Sequence, residues 1–302
     1  MYILVLTLAV QCYMPFVWKL SAIRKYDTRV ILLLNYVVTV AISTVLAIKN
    51  DLFSVLSYLP KSDITALMKE KSLENTALIL IIVGVLAGVA YYLSLYFSQR
   101  NIAVNGMGIS SFFTQTGLVG SLLTAFFFFD EQITGIQWLA IVGILFSIML
   151  FTCGNSKITI KSPWLLIAVF VFNLAVGTSN KFYARYALES YKTAFLAIAF
   201  FIAFVSAAIK IYYDYDKSGN RFIIDKGEIL FGLTLGAANL GYSYLNLKCL
   251  ESLPAAIVVP TLSAGGLVVS TLLAVFLFRE RSNYRHALAI LLSCVFIYLL
   301  NI

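Results

Sequence analysis

Ten apolar runs, each near the length of about 20 residues that a helix needs to cross a lipid hydrocarbon core, decide what this chain can become. They fall near residues 3–19, 29–48, 76–97, 103–128, 134–153, 163–187, 193–213, 228–247, 254–278 and 284–301. Backbone amides inside lipid have no water to bond, so a spanning segment must close its hydrogen bonds as a helix or within a barrel. These runs lack the period-two alternation of barrel strands, which predicts an all-α polytopic membrane protein. Composition gives the same answer. The chain is 61% hydrophobic and 12% charged with a mean hydropathy of +0.92, whereas soluble domains are about 45–50% apolar and about 25% charged. Its 302 residues own too little polar surface to clothe a soluble core.

The net charge of +8 is scattered over the short connections between runs rather than gathered into a stripe, so it reads as membrane-surface charge and not as a nucleic-acid face. Cys12, Cys153, Cys249 and Cys294 lie in or beside apolar runs without metal spacing, and are expected as buried thiols. The first run has no basic flank and no small-residue cleavage site before it ends, which predicts a retained first span. Trp18, Trp138 and Trp164 fall near run ends, where interfacial anchors belong. Leu52, Phe53, Leu56 and Leu59 fit either a short interfacial helix or a polar loop. Basic residues weigh toward both termini lying outside.

An internal repeat organises the chain. Gly117 to Glu131 (GLVGSLLTAFFFFDE) aligns without a gap on Gly266 to Glu280 (GLVVSTLLAVFLFRE), matching Ser121 with Ser270, Phe127 with Phe276 and Glu131 with Glu280. The same register pairs Leu86 with Leu235 and Ser94 with Ser243; another pairs Gln11 with Asn173 and Lys19 with Lys181. Two repeats follow, 1–155 and 156–302, forming one transport domain. Each has five spans, and an odd number forces the second copy to enter the membrane inverted. Such construction is common in secondary transporters that rock about a midplane site.

With ten spans in two halves, a small-residue and Phe-rich run ending in glutamate in each, and Val259-Pro260-Thr261 leading through Ala264 and Leu272 to Phe278-Arg279-Glu280, the chain resembles the drug/metabolite transporter superfamily, in particular its EamA-type members. Ser111 stands where the second copy has Pro260. The resemblance implies a cavity lined by the first, third, fourth, sixth, eighth and ninth spans, with the fifth and tenth packed outside. It also implies cytoplasmic termini, opposite to the charge count, and sidedness stays open.

Polar residues inside these runs are the candidate solute ligands. Ser111, Thr114 and Gln115 share one face of the fourth span, as Pro260 and Ser263 do in the ninth. Polar groups in hydrocarbon are costly unless they face protein or water, although small-residue packing between helices explains the same stripe. Tyr92, Asn239 and Tyr242, and the repeat-related amides Gln11 and Asn173, complete the expected site. Gly84, Gly88, Gly232 and Gly236 are expected to pack helices. Gly106, Gly108 and Pro260 are candidate hinges. Lys19, Lys181, Glu131 and Glu280 are read as structural residues at helix ends, the lysines snorkelling to headgroups.

No Asp, Glu, Lys or Arg occupies the middle of a span, unlike the usual proton relay. A neutral or zwitterionic metabolite such as an amino acid fits this lining, and aromatic faces leave room for a quaternary cation. No cofactor or metal is expected. His286 is the single histidine, and no nucleotide-binding glycine motif is present, so a membrane enzyme and an ATP-driven pump are disfavoured. A lipid-linked-substrate flippase and a non-transporting scaffold are the rival readings. The expected partners are a small organic solute and the bilayer of the cell membrane, with a homodimer left open and no nucleic acid.

Overall fold

A computed structural model describes residues 2–59, 71–105, 113–114, 116–117, 119–121, 124, 126–128, 132–152, 161–218, 224–278 and 284–300. Every regular element among them is a helix: α1 (Tyr2–Ile23), α2 (Thr28–Lys49), a short α3 (Leu52–Leu56), α4 (Leu73–Asn105), α5 (Gly135–Thr152), α6 (Pro163–Tyr186), α7 (Lys192–Ser218), α8 (Lys226–Ser252), α9 (Ala255–Phe278) and α10 (Tyr284–Leu300). A 3-10 turn at Glu189–Tyr191 precedes α7, and helical turns recur between 113 and 128.

The starts of these helices are written in the sequence. Asp27 caps α2 by accepting from Arg29 N at 2.9 Å. Thr134 and Gln137 form a reciprocal capping box before α5, at 3.3 and 3.1 Å, and Pro163 opens α6 where its missing N–H costs nothing. Several helices run past their expected ends, α4 furthest. Residues 103–105 belong to α4 rather than to the next span, because polar residues end that helix: Asn105 Oδ1 accepts from Lys161 N and Ser162 N at 2.9 and 3.0 Å.

Thr28–Lys49, Leu73–Asn101, Pro163–Tyr186 and Glu189–Asp214 are long and apolar enough to cross a membrane. Their outward faces are apolar, with Leu86, Ile167 and Ile209 more than half exposed. An exterior of this kind is stable in lipid and not in water. Cys294 is exposed on α10, against the expectation of a buried thiol; in lipid a small apolar thiol needs no interior. Cys12 and Cys249 are buried, and Cys153 lies outside the described residues.

The chain divides into two compact units. The first comprises residues 1–92 and 182–251, the second 93–181 and 252–302. In the first, α2 packs along α7. Tyr36 meets Phe200 (centroids 6.4 Å apart) and Asn50 Nδ2 donates to Thr193 Oγ1 at 3.1 Å. The middle of α2 thus meets the middle of α7 and its end meets the start of α7, so the two helices are antiparallel.

Each of these helices carries a glycine-faced neighbour in matching register. On α4, a Cβ at Gly84 would lie 3.2 Å from Ile198, and one at Gly88 would lie 2.4 Å from the Ala199 carbonyl oxygen and 2.6 Å from Ile202. On α8, a Cβ at Gly232 would lie 2.4 Å from Leu34, and one at Gly236 would lie 2.7 Å from the Asn35 carbonyl oxygen and from Val38. Gly84 thus does the work of Gly232, Gly88 that of Gly236, and Leu34, Asn35 and Val38 stand where Ile198, Ala199 and Ile202 stand. This structural register, set by the packing glycines, differs by one residue from the sequence pairing of Leu86 with Leu235.

Loops are tied at both helix starts. Glu228 accepts from Asp27 N at 2.7 Å and Asp225 N at 3.0 Å, anchoring the turn before α2 to α8. Thr76 accepts from Leu188 N at 3.0 Å and Asn75 donates to the Tyr186 carbonyl at 3.3 Å, anchoring the turn before α7 to α4. In the second unit, α5 packs along α10, with Gly143 making room for the Phe296 ring, 2.4 Å from where its Cβ would lie. Gly117 and Gly120 face Phe170 and Leu174 of α6 in the same way, and Thr124 and Thr178 share a hydrogen bond at 3.0 Å.

Replacing Gly88 or Gly236 by alanine should cost about 1–3 kcal/mol each through overpacking, read as a lower apparent Tm of the purified protein. Gly135→Ala, where no atom lies within 4 Å of the added carbon, should be neutral to about 0.5 kcal/mol. Equal Tm values for all three would sink the packing argument.

Candidate solute-binding site

The first unit gathers an amide and tyrosine cluster from α1, α2, α4 and α8. Asn239, at the centre of α8, donates from Nδ2 to Asn35 Oδ1 on α2 at 3.2 Å; the two residues are 7% and 1% exposed. Asn35 reaches this position because Gly236, one turn from Asn239, lets α8 approach the α2 backbone at Asn35 itself. Below Asn35 on the same face, Thr39 and Ser43 spend their hydroxyls on α2 carbonyls, Thr39 on Tyr36 O at 3.0 Å and Ser43 on Thr39 O. Asn35 keeps an unspent group: its Nδ2 is buried without a hydrogen-bond partner, as are Ser243 Oγ and Gln11 Oε1.

Gln11 belongs to the same region because α1 runs antiparallel along α8. Val17 packs with Leu235, Val10 lies 3.7 Å from the position of a Cβ at Gly241, and Thr7 contacts Cys249 at 3.5 Å. That ladder sets Gln11 level with the stretch of α8 holding Asn239, Tyr242 and Ser243. Tyrosines fill the surroundings. Tyr36 is fully buried, donates to the Tyr91 carbonyl at 3.4 Å, and lies within electrostatic range of the Tyr91 and Tyr92 phenols. Tyr242 lies within such range of Tyr91, and Tyr91 packs on Phe200 at 5.4 Å. Asn35 Nδ2, Gln11 Oε1 and Ser243 Oγ thus leave a donor, an acceptor and a hydroxyl unspent in this unit.

The duplicated packing is polar on one side only. The register of the glycine contacts sets Asn35 against Ala199 and Asn239 against Tyr91. Where α8 meets α2 the interior is an amide pair, and where α4 meets α7 it is alanine and a phenol ring.

Of the residues expected from sequence, Gln11, Tyr92, Asn239 and Tyr242 belong to this unit. Thr114, Asn173, Ser263 and Pro260 belong to the second. There Thr114 is half-buried, Ser263 is buried, and the Asn173 amide donates to Val169 O of its own helix at 2.8 Å. Pro260 sits inside α9 without interrupting it. Gly106, Gly108, Ser111, Gln115, Glu131 and Glu280 lie outside the described residues. Lys19 and Lys181 do not end their helices: α1 runs on to Ile23 and α6 to Tyr186. Lys181 is only 6% exposed, too deep to snorkel. Asn35 was not among the expected residues. Its signal was nonetheless present, an amide set in Leu33-Leu34-Asn35-Tyr36-Val37, where an unpaired polar group would be expensive.

Among the described residues no three His, Cys, Asp or Glu side chains converge as a metal site would require. No protein-family model matches the sequence, and no curated protein does. A solved structure titled "Crystal structure of protein" superposes with a TM-score of 0.67 over 99% of this chain and 94% of its own, at 12% identity. The likeness is one of fold.

If the amide pair is a unit, Asn239→Leu should cost about 1–3 kcal/mol by leaving Asn35 without its partner. Adding Asn35→Leu should then return part of that loss, and a thermal-unfolding double-mutant cycle reads the coupling. Strict additivity would mean that the two amides do not act together.

Proposed function

We propose that this chain is a secondary transporter of ten spans in two inverted repeats, carrying a small organic solute that is neutral or zwitterionic across the cell membrane by alternating access. The observation that carries the reading is the buried Asn35–Asn239 pair with unspent hydrogen-bonding groups beside it, set mid-helix in apolar surroundings. Satisfied buried networks stabilise a fold, and partly satisfied ones cost it free energy. A hydrogen-bonding solute would complete this one. Support for the inverted arrangement comes from the matched glycine contacts and the antiparallel α2 and α7, since a repeat inverted in the membrane brings its equivalent helices together head to tail.

In this reading Gln11, Asn35, Tyr92, Asn239, Tyr242 and Ser243 contact the solute from the first unit. Thr114, Asn173, Ser263, Ser111 and Gln115 are further candidates on sequence grounds alone. Pro260, with Gly106 and Gly108, supplies the bending that alternating access needs. The resemblance to EamA-type members of the drug/metabolite transporter superfamily supports the same function, and no enzymatic role is assigned.

Thermal shift of the purified protein against amino acids, carboxamides, nucleosides and quaternary amines tests the solute class, because a ligand bound only by the folded state raises apparent stability. A neutral or zwitterionic solute should shift Tm and exchange across proteoliposome membranes. Asn35→Ala should weaken its binding about twofold to tenfold, the worth of one neutral hydrogen bond. A panel without shifts together with vesicles without exchange would reject the transporter reading; shifts from quaternary amines alone would replace the solute class.

A further inference from the structure

The first unit also holds a buried ion pair, away from the amide cluster. Lys192 Nζ, at the start of α7, donates to Glu251 Oε2 in the last turn of α8. The two side chains are 11% and 2% exposed. Glu251 lies one turn beyond Leu247, and Lys248 has by then ended the apolar run of α8. Burying both ions costs solvation that their attraction repays only when every remaining lone pair and proton is satisfied. Here one is not, since Glu251 Oε1 is buried and accepts no hydrogen bond.

The ammonium has a second partner. Lys192 Nζ stands 5.6 Å from the centroid of the Tyr244 ring, whose face attracts a cation. Among the described residues, the other charged and titratable groups acting on or near Glu251 include Glu189 of the 3-10 turn, Lys71 ahead of α4, and Tyr183 of α6, which feels Glu251 and Glu189. Lys71 and Glu189 face each other at 3.9 Å and are well exposed. Burial pushes the Glu251 carboxyl up and the bond from Lys192 pulls it back, leaving it above the ordinary glutamate value.

The repeat shows that the fold does not require this pair. In the register of the glycine contacts, Tyr244 corresponds to Tyr96, whereas Glu251 corresponds to Ala103 and Lys192 to Thr28. The ring is duplicated and both charges are not.

We propose that Glu251 is a proton-binding site: its free oxygen takes up one proton from water, the hydrogen bond from Lys192 is released, and the ammonium stays over the Tyr244 ring. The carboxylate becomes a neutral acid, the lysine keeps its charge, and the site gains one positive charge. The site stands whether or not the chain is a carrier; in a carrier it would make the cycle sensitive to pH.

Infrared difference spectra of the purified full-length chain, with glutamate carboxyls carbon-13 labelled and pH stepped from about 4 to 9, test this without any solute. A labelled acid band should titrate above the ordinary glutamate range and be absent from Glu251→Gln. Lys192→Met should move its midpoint up. Tyr244→Leu should move it down by about one pH unit, because the released ammonium loses its second partner. Absence of the band from the wild-type protein, or its persistence in Glu251→Gln, overturns the site. A Tyr244→Leu midpoint equal to wild type overturns the handover to the ring. Should Glu251→Gln not fold, opposite shifts in the other two variants carry the assignment, and identical midpoints refute it.

Discussion

The approach of helix backbones at glycines is the contact on which the rest of the first unit depends. Lipid offers apolar side chains no gain on leaving it, so membrane helices associate by close packing and by the few polar bonds that closeness permits. Gly88 against the Ala199 carbonyl and Gly236 against the Asn35 carbonyl provide that closeness twice. The second contact also brings Asn239 within hydrogen-bonding distance of Asn35. Had a side chain stood at 236, the amides would be held apart and each would be alone in an apolar interior.

The two glycine contacts share a packing scheme and differ in what they enclose. The α8–α2 contact kept or acquired two amides; its counterpart holds Ala199 and Tyr91. The ends diverged in the same way, for an ion pair closes α7 against α8 while threonine and alanine occupy the matching positions.

Most of the architecture was legible from apolar run length, since lipid makes that property nearly sufficient. Start residues such as Pro163, Asp27 and the Thr134/Gln137 pair fixed helix beginnings closely. The end of α4 was not legible, because Asn105 finishes it through bonds to residues 161 and 162 and donates to Asn101 within the helix, and a run of apolar residues carries no sign of a distant partner. Lys181 was misplaced for a related reason: a lysine near the end of an apolar run need not be near the end of the helix. The glycines were recognised as packing positions, whereas their register was off by one residue. Asn35 is not among the expected residues because the second span is not among those that the family resemblance assigns to the cavity.

The loop anchors bear on how such a chain is made. Asn75 and Thr76 bond residues 111 and 112 positions further on, and Glu228 holds Asp27 across 201 positions. A ribosome makes α1 to α5 before any of those partners exists. The start of α4 and the turn before α2 must therefore wait, with open hydrogen-bonding groups, until α6 and then α8 have been inserted. Those two junctions are therefore completed late in synthesis.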